Sequence, residues 1–155
     1  KNILEPIIEM FVDCISRKLH LIWPMHPRTY NKLKEFNLFN NLSNCDSITI
    51  LHPIDYFEMI KLNSSSKVVF TDSGGLQEEC MVLSTPCLTM RWNTERPITL
   101  RENGGVSLLV GNDIKKIKYG FNRIIINEKI KRPKYWDGKT ASRCLSEILN
   151  FKDER

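Results

Sequence analysis

The chain has 155 residues, of which 41% are hydrophobic and 26% charged, and its formal net charge is +5. This length and composition suit a single globular domain over residues 1–155 and exclude a disordered chain. No apolar run approaches the roughly 20 residues that a membrane span needs, and acidic residues interrupt the first apolar stretch. Neither a membrane protein nor a signal peptide is therefore expected.

The cysteines and the basic residues narrow the class of protein further. Five cysteines without a CxxC pair argue against a disulfide framework or a zinc motif, so reduced thiols and a cytoplasmic location are expected. The lysines and arginines are scattered, and their densest groups lie at residues 115–118 and 129–134. A basic surface that attracts a phosphate-bearing ligand explains this charge, and no nucleic-acid partner is expected.

In the first half of the chain, apolar spacing and turn residues predict two strands among three helices. The predicted elements are, in chain order, a helix at residues 3–15, a strand at 19–23, a helix at 29–35 capped by Thr29, a loop at 37–44, a strand at 47–51, a helix at 55–62 capped by Asp55 and a turn at 63–66.

The second half predicts three more strands that alternate with helices. These elements are a strand at residues 67–71, a helix at 75–83, a strand at 86–90, a short helix or turn at 97–102, a strand at 106–110, a helix at 113–126 capped by Asp113 and a helix at 141–150. Five short apolar strands between helices indicate an α/β domain with a parallel sheet covered on both faces. Ligands of such sheets bind beyond the carboxyl ends of the strands.

The run TDSGGLQEE at residues 71–79 lies at such a strand-to-helix turn. Its two glycines let the backbone approach a ligand, and the N–H groups and dipole of the helix start favour a phosphate or pyrophosphate. Ser73 adds a hydroxyl, and Glu78 and Glu79 can accept hydrogen bonds from the hydroxyls of a ribose. The same residues also make an ordinary turn and N-cap. Neither a dinucleotide fingerprint nor a P-loop is present.

This run is similar to the TDSGG-x-QEE signature of the non-hydrolysing UDP-N-acetylglucosamine (UDP-GlcNAc) 2-epimerases. Further segments resemble that family in the same order: HPRT at residues 26–29, which only part of the family has, PCLTMR at 86–91, TERP at 94–97, LVG at 109–111 after Gly105, and DG followed by AS at 137–142. The resemblance covers essentially the whole chain. It implies the GT-B architecture, in which a nucleotide sugar binds between two Rossmann-like domains, and makes this chain the C-terminal domain.

The resemblance also implies roles for individual residues. Ser73, Gly74 and Gly75 would contact the UDP phosphates, and Glu79 would hold the ribose hydroxyls. Arg96 would lie near the diphosphate and the sugar, because a guanidinium suits phosphate. The alternative for Arg96 is a salt bridge with Glu95 or Asp72.

Two further segments are assigned by the resemblance. Residues 53–57, including Phe57, would lie against the uracil, and the alternative for Tyr56 and Phe57 is packing in the core. His26 and Arg28 would border a second, allosteric UDP-GlcNAc site, as in bacterial relatives. The alternative is a strand-end turn in which His26 caps or packs.

The implied reaction inverts C2 of UDP-GlcNAc to give UDP-N-acetylmannosamine (UDP-ManNAc), by elimination and re-addition of UDP. It requires no metal and no other cofactor. The family's HRxEN segment and its acidic proton-transfer residues would lie upstream of Lys1, so the chain alone is expected to be inactive, and the full-length protein is expected to be a homodimer. Alternatives are a GT-B glycosyltransferase, a hydrolysing epimerase, or a non-catalytic UDP-sugar-binding module.

Overall fold

Short parallel strands alternate with helices along the computed structural model, which describes residues 1–126 and 134–151. The elements are α1 (Leu4–Met10), extended by a π-helical turn (Phe11–Ile15), β1 (Leu21–Pro24), α2 (Pro27–Glu35), α3 (Phe39–Ser43), β2 (Ile48–Leu51), α4 (Tyr56–Ser65), β3 (Val69–Thr71), α5 (Gly74–Leu83), β4 (Cys87–Thr89), two 3₁₀ turns (Pro97–Thr99 and Arg101–Asn103), β5 (Ser107–Leu109), α6 (Ile114–Ile125) and α7 (Thr140–Asn150).

Among residues 1–126 and 134–151, all hydrogen-bonded strand pairs are parallel, as the alternating pattern predicts. β1 pairs with β2, with Leu21 opposite Ile48. β3, β4 and β5 form a second sheet in which β4 is central, and Cys87 lies between its two neighbours in register. The predicted parallel sheet is therefore present as two hydrogen-bonded sheets of two and three strands.

A shared core connects the two sheets. The ring of Phe11, which follows α1, lies edge-on to Trp23 of β1 at 5.6 Å and to Phe70 of β3 at 5.5 Å between centroids. Phe121 and Ile117 of α6 are fully buried in the same cluster. Because side chains from both sheets fill this one cluster, the sheets pack together against α1 and α6.

Two predictions for the first half of the chain are wrong. Helix α2 begins at Pro27, not at Thr29, and its cap is His26, because proline suits the first helical position. Residues 37–44, predicted as a loop, contain helix α3. Leu42 of α3 is fully buried in a core cluster, so burial outweighs the poor helix propensity of the asparagines around it.

Other predictions differ from the structure only at element boundaries. Helix α4 continues to Ser65 through the residues predicted as a turn, and β3 to β5 have three residues each. The predicted caps of α4 and α6 are confirmed: Asp55 forms a capping box with Glu58, and Asp113 accepts from two backbone N–H groups. These caps fix the helix starts after β2 and β5.

The cysteines and the helices agree with the expectations of free thiols and of no membrane span. All five cysteines are free. Within the described residues, every helix is too short or too polar to cross a membrane. Most of the basic group at residues 129–134 lies outside the described residues.

Candidate functional site

The glycine-rich turn connects β3 to α5 at the carboxyl end of the three-stranded sheet. Ser73 is the N-cap of α5, as the alternative interpretation of this turn has it, and its Oγ accepts a hydrogen bond from the Leu76 N–H at 3.5 Å. The Ser73 N–H donates to Thr71 Oγ1 at 3.0 Å. Helix α5 starts at Gly74, and the N–H groups of Gly74 and Gly75 have no acceptor within the helix. They are therefore available to an anion at the helix start.

A buried glutamine joins this turn to the loop that follows β4. Gln77 is fully buried; its Nε2 donates to the Ser73 carbonyl at 3.4 Å, and its Oε1 accepts from Thr94 Oγ1 at 2.8 Å and Thr99 Oγ1 at 3.3 Å. The Arg96 N–H in turn donates to Thr94 Oγ1 at 3.0 Å. Gln77 thus fixes the backbone around Arg96 relative to Ser73. Sequence reasoning assigned Gln77 no role, although it lies inside the quoted motif.

Arg96 lies beside the turn and forms an ion pair with Glu78, not with Glu95 or Asp72. Its Nε is 3.0 Å from Glu78 Oε1, whereas Glu95 pairs with Arg91, with 2.8 Å between Arg91 Nη1 and Glu95 Oε2. These side chains are about half exposed, so each pair contributes little to stability and can be exchanged for another partner. The structure therefore places two arginines and two carboxylates around the helix start.

The carboxylate of Glu95 covers Gly74. A Cβ atom at Gly74 would lie 2.5 Å from Glu95 Oε1, and no larger side chain fits there without moving Glu95. The pKa of Glu95 is lowered chiefly by a hydrogen bond from its own backbone N–H, and further by Arg91 and Arg96. Glu95 is consequently ionised at neutral pH.

Glu79 faces the other flank of the turn, where α4 packs against α5. Its Oε2 accepts from Asn63 Nδ2 at 3.5 Å, and Asn63 is buried. Partial burial raises the pKa of Glu79, and the Asn63 hydrogen bond opposes that shift. Sequence reasoning missed Asn63, which it placed in the predicted turn at residues 63–66 and which lies within helix α4.

The structure rules out core packing for Phe57 and shows a capping contact for His26. Phe57 is 81% exposed near the start of α4, so core packing is wrong for this residue. Tyr56 is also exposed, with its ring 5.8 Å from that of Phe57. His26 Nδ1 accepts from the Arg28 N–H at 3.1 Å, so His26 is a helix cap, and both side chains are exposed.

A tryptophan that sequence reasoning did not single out completes the carboxyl edge of the sheet. Gly111 has a φ of +60°, and a Cβ there would lie 2.8 Å from carbons of the Trp92 indole. Lys116 Nζ lies 5.3 Å from the centroid of that ring. Trp92 is 62% exposed, so it packs over the turn after β5 and leaves a face open. Among the described residues, no group of three or more histidine, cysteine and acidic side chains could hold a metal ion.

The parallel strands, and the glycine-rich turn at their carboxyl end, define a Rossmann-like α/β domain of the nucleotide-binding class. Comparison with known families is more specific. Residues 1–149 match the UDP-N-acetylglucosamine 2-epimerase family, and the chain belongs to that family.

Curated relatives support the same family. The UDP-N-acetylglucosamine 2-epimerase of Methanocaldococcus jannaschii is 36% identical over 151 residues, which are 97% of this chain and 40% of that protein. The one from Methanococcus maripaludis is 40% identical over 143 residues, 91% of this chain and 38% of that protein. The chain thus spans about 40% of the length of these relatives.

Solved structures share the fold. The M. jannaschii UDP-GlcNAc 2-epimerase superposes with a TM-score of 0.83 at 36% identity, covering 95% of this chain and 41% of that one. Its complex with UDP-GlcNAc and UDP gives a TM-score of 0.76 over 97% of this chain and 40% of that one. The Neisseria meningitidis enzyme bound to UDP-GlcNAc is 27% identical, with a TM-score of 0.71 and coverage of 96% and 40%. The chain has the fold of one domain of these GT-B enzymes.

Proposed function

We propose that this chain is the UDP-binding half of a non-hydrolysing UDP-GlcNAc 2-epimerase, which interconverts UDP-GlcNAc and UDP-ManNAc. The observation that carries the proposal is the turn at residues 71–79, whose helix start has unused N–H groups and an arginine beside it. A relative that is 36% identical forms a complex with UDP-GlcNAc and UDP.

The diphosphate binds at the start of α5. The N–H groups of Gly74 and Gly75 donate to phosphate oxygens, the Ser73 hydroxyl adds a third donor, and the helix dipole favours the negative charge. Gly74 and Gly75 carry no side chain that would hold the phosphates away from these donors. Arg96 reaches the diphosphate once its guanidinium leaves Glu78, because a phosphate offers it charge-assisted, bidentate hydrogen bonds.

The nucleoside lies towards α4. The Glu79 carboxylate accepts hydrogen bonds from the ribose hydroxyls, and its hydrogen bond to Asn63 holds it in place. The exposed ring of Phe57 at the start of α4 supplies an apolar contact for the uracil. Because its ring is exposed, Phe57 buries little apolar surface against the protein core, and it buries more when a planar ligand packs against it.

In the proposed reaction, a base removes the C2 proton while the C1–O bond to UDP breaks, which leaves 2-acetamidoglucal and UDP. UDP then adds back to C1 while a proton returns to the opposite face of C2. This chain's part is to hold the leaving diphosphate, whose growing charge Arg96 and the helix start stabilise. The base and acid belong to motifs that are not matched here: His26 caps α2, and His20 is bonded to Thr49.

Calorimetric titration of UDP tests these contacts. Ser73→Ala and Glu79→Ala should each weaken binding about tenfold or more. Ser73→Ala removes a hydrogen bond to the charged diphosphate, and Glu79→Ala removes the ionised acceptor of the ribose hydroxyls. Ser146→Ala, which alters an exposed serine on α7, is the matched control and should leave the affinity unchanged. Unchanged affinity in both Ser73→Ala and Glu79→Ala would rule out the proposed site.

A further inference from the structure

The helix start that is proposed to hold the diphosphate already faces an anion of the chain itself. The Glu95 carboxylate lies over Gly74, where a Cβ would approach its Oε1 to 2.5 Å. Glu95 is ionised, since its pKa is lowered by its own backbone N–H and by two arginines. A carboxylate so close to the first residue of α5 lies in the field of the same helix dipole that favours a phosphate.

Both arginines of the site are also engaged by carboxylates. Arg91 pairs with Glu95 at 2.8 Å, and Arg96 pairs with Glu78 at 3.0 Å. Arg96 Nε is buried yet makes no hydrogen bond, so the contact with Glu78 leaves this donor poorly satisfied. Such a donor has free energy to gain from a better-aligned anion.

We propose that Glu95 is the internal counter-anion of this phosphate site, and that a nucleoside diphosphate binds by displacing the Glu95 carboxylate from Gly74. The inference rests on the proposed function and deepens it, because it names the residue that sets the affinity of the site for the diphosphate group. Glu95 opposes binding: two anions cannot occupy the same helix start without strong repulsion.

The displacement needs only a side-chain movement. The backbone on either side of Glu95 is held by the hydrogen bonds of Thr94 and Thr99 to Gln77. Glu95 itself is exposed, so its carboxylate can turn into solvent and release Arg91 for the incoming phosphate. If Glu95 instead bound a hydroxyl group of the ligand, it would contribute to affinity. Removing its charge would then weaken ligand binding, whereas removing a counter-anion strengthens it.

Calorimetric titration of the chain with UDP and with uridine separates these roles. Glu95→Gln keeps the shape and removes the charge, so UDP should bind about fivefold more tightly while uridine, which has no phosphate, should be unaffected. Glu9→Gln removes one charge from the exposed face of α1 and should change the UDP affinity less than about twofold. Glu95→Asp keeps the charge but shortens the side chain, and should give an intermediate affinity.

Salt gives a second readout. The difference between the original chain and Glu95→Gln should shrink as ionic strength rises, because exposed charges are screened. An unchanged or weaker affinity of Glu95→Gln for UDP overturns the inference while leaving the proposed UDP site intact. If neither the original chain nor Glu95→Gln binds UDP, the proposed function fails and the inference with it. Circular dichroism of each variant confirms that it is folded.

Discussion

Glu79 shows how a single residue can link the site to pH. Burial raises its pKa above the usual glutamate value of about 4.3. A raised carboxyl pKa means that Glu79 takes up a proton at a higher pH than an exposed glutamate does. The protonated group keeps less acceptor capacity for ribose hydroxyls. UDP affinity should therefore fall as the pH drops from neutral through the pKa of Glu79.

Glu79→Gln is the control for this pH dependence. An amide does not titrate, so the loss of affinity in mild acid should be smaller in Glu79→Gln than in the original chain, as titration calorimetry at a series of pH values can show. Equal slopes in the two proteins would contradict a ribose-binding role of the carboxylate. The stability effect has the opposite sign: the raised pKa favours the folded state at low pH, and this contribution is lost as the pH rises through the pKa.

Some residue contacts could be predicted from sequence and others could not. The caps by Ser73, Asp55 and Asp113 depend on residues two or three positions away, so local pattern was sufficient. The pair between Arg96 and Glu78 joins two separate elements. Sequence spacing carries no information on which of several nearby acids comes within 3 Å.

At the scale of elements, Gln77 connects α5 to the loop after β4. Gln77→Leu would remove three side-chain hydrogen bonds and leave the Thr94 hydroxyl without its acceptor, at a cost of about 1–3 kcal/mol in the free energy of unfolding. The Ser73 carbonyl still accepts from the backbone N–H of residue 77, and Thr99 Oγ1 still donates to the Arg96 carbonyl. UDP affinity should also fall, because the loop that carries Arg96 loses its attachment. Urea denaturation and calorimetry measure the two effects.

The two readouts distinguish positioning from stability alone. A purely structural role of Gln77 predicts a lower urea midpoint for Gln77→Leu. It also predicts an unchanged UDP affinity when binding is measured without urea, where the protein is folded. A positioning role predicts weaker UDP binding but unchanged binding of uridine, which does not need Arg96. Unchanged stability and unchanged affinity together would show that the Gln77 hydrogen bonds have no influence on the site.

The elements themselves show where sequence patterns suffice. The five strands and the helices after them were predictable because burial imposes apolar runs and a 3.6-residue period. Helix α3 was missed because its asparagines are typical of loops, and only the tertiary burial of Leu42 makes it a helix. The pairing of the strands into two sheets joins segments far apart in the chain, and the local apolar pattern does not encode which strands pair.

At the scale of the whole molecule, we predict that the chain alone does not turn over UDP-GlcNAc. Its matched residues hold the leaving diphosphate, whereas the proton at C2 needs a base and an acid that these motifs do not supply. In D₂O, proton NMR of UDP-GlcNAc with the purified chain should show neither UDP-ManNAc nor loss of the C2 proton. Either signal would show that this chain contains the catalytic groups.

The assembly of the full-length protein stays a prediction. The resemblance implies a homodimer and a second UDP-GlcNAc site at His26 and Arg28, which the structure shows only as an exposed helix start. The relatives match nearly all of this chain and are about two and a half times as long. The shared fold is therefore one part of those enzymes. The GT-B architecture could be predicted only from the ordered motifs, since the domain's own pattern suits many nucleotide-binding proteins.

The central claim is that the turn at residues 71–79 binds the diphosphate of UDP. The most direct measurement is a titration with UDP followed in ¹H–¹⁵N spectra of the labelled chain. The amide signals of Gly74 and Gly75 should shift and saturate with UDP concentration, while those of Gly104 and Gly138, in exposed turns elsewhere, should not. A saturable response that spares Gly74 and Gly75, or no response at all, would contradict the account.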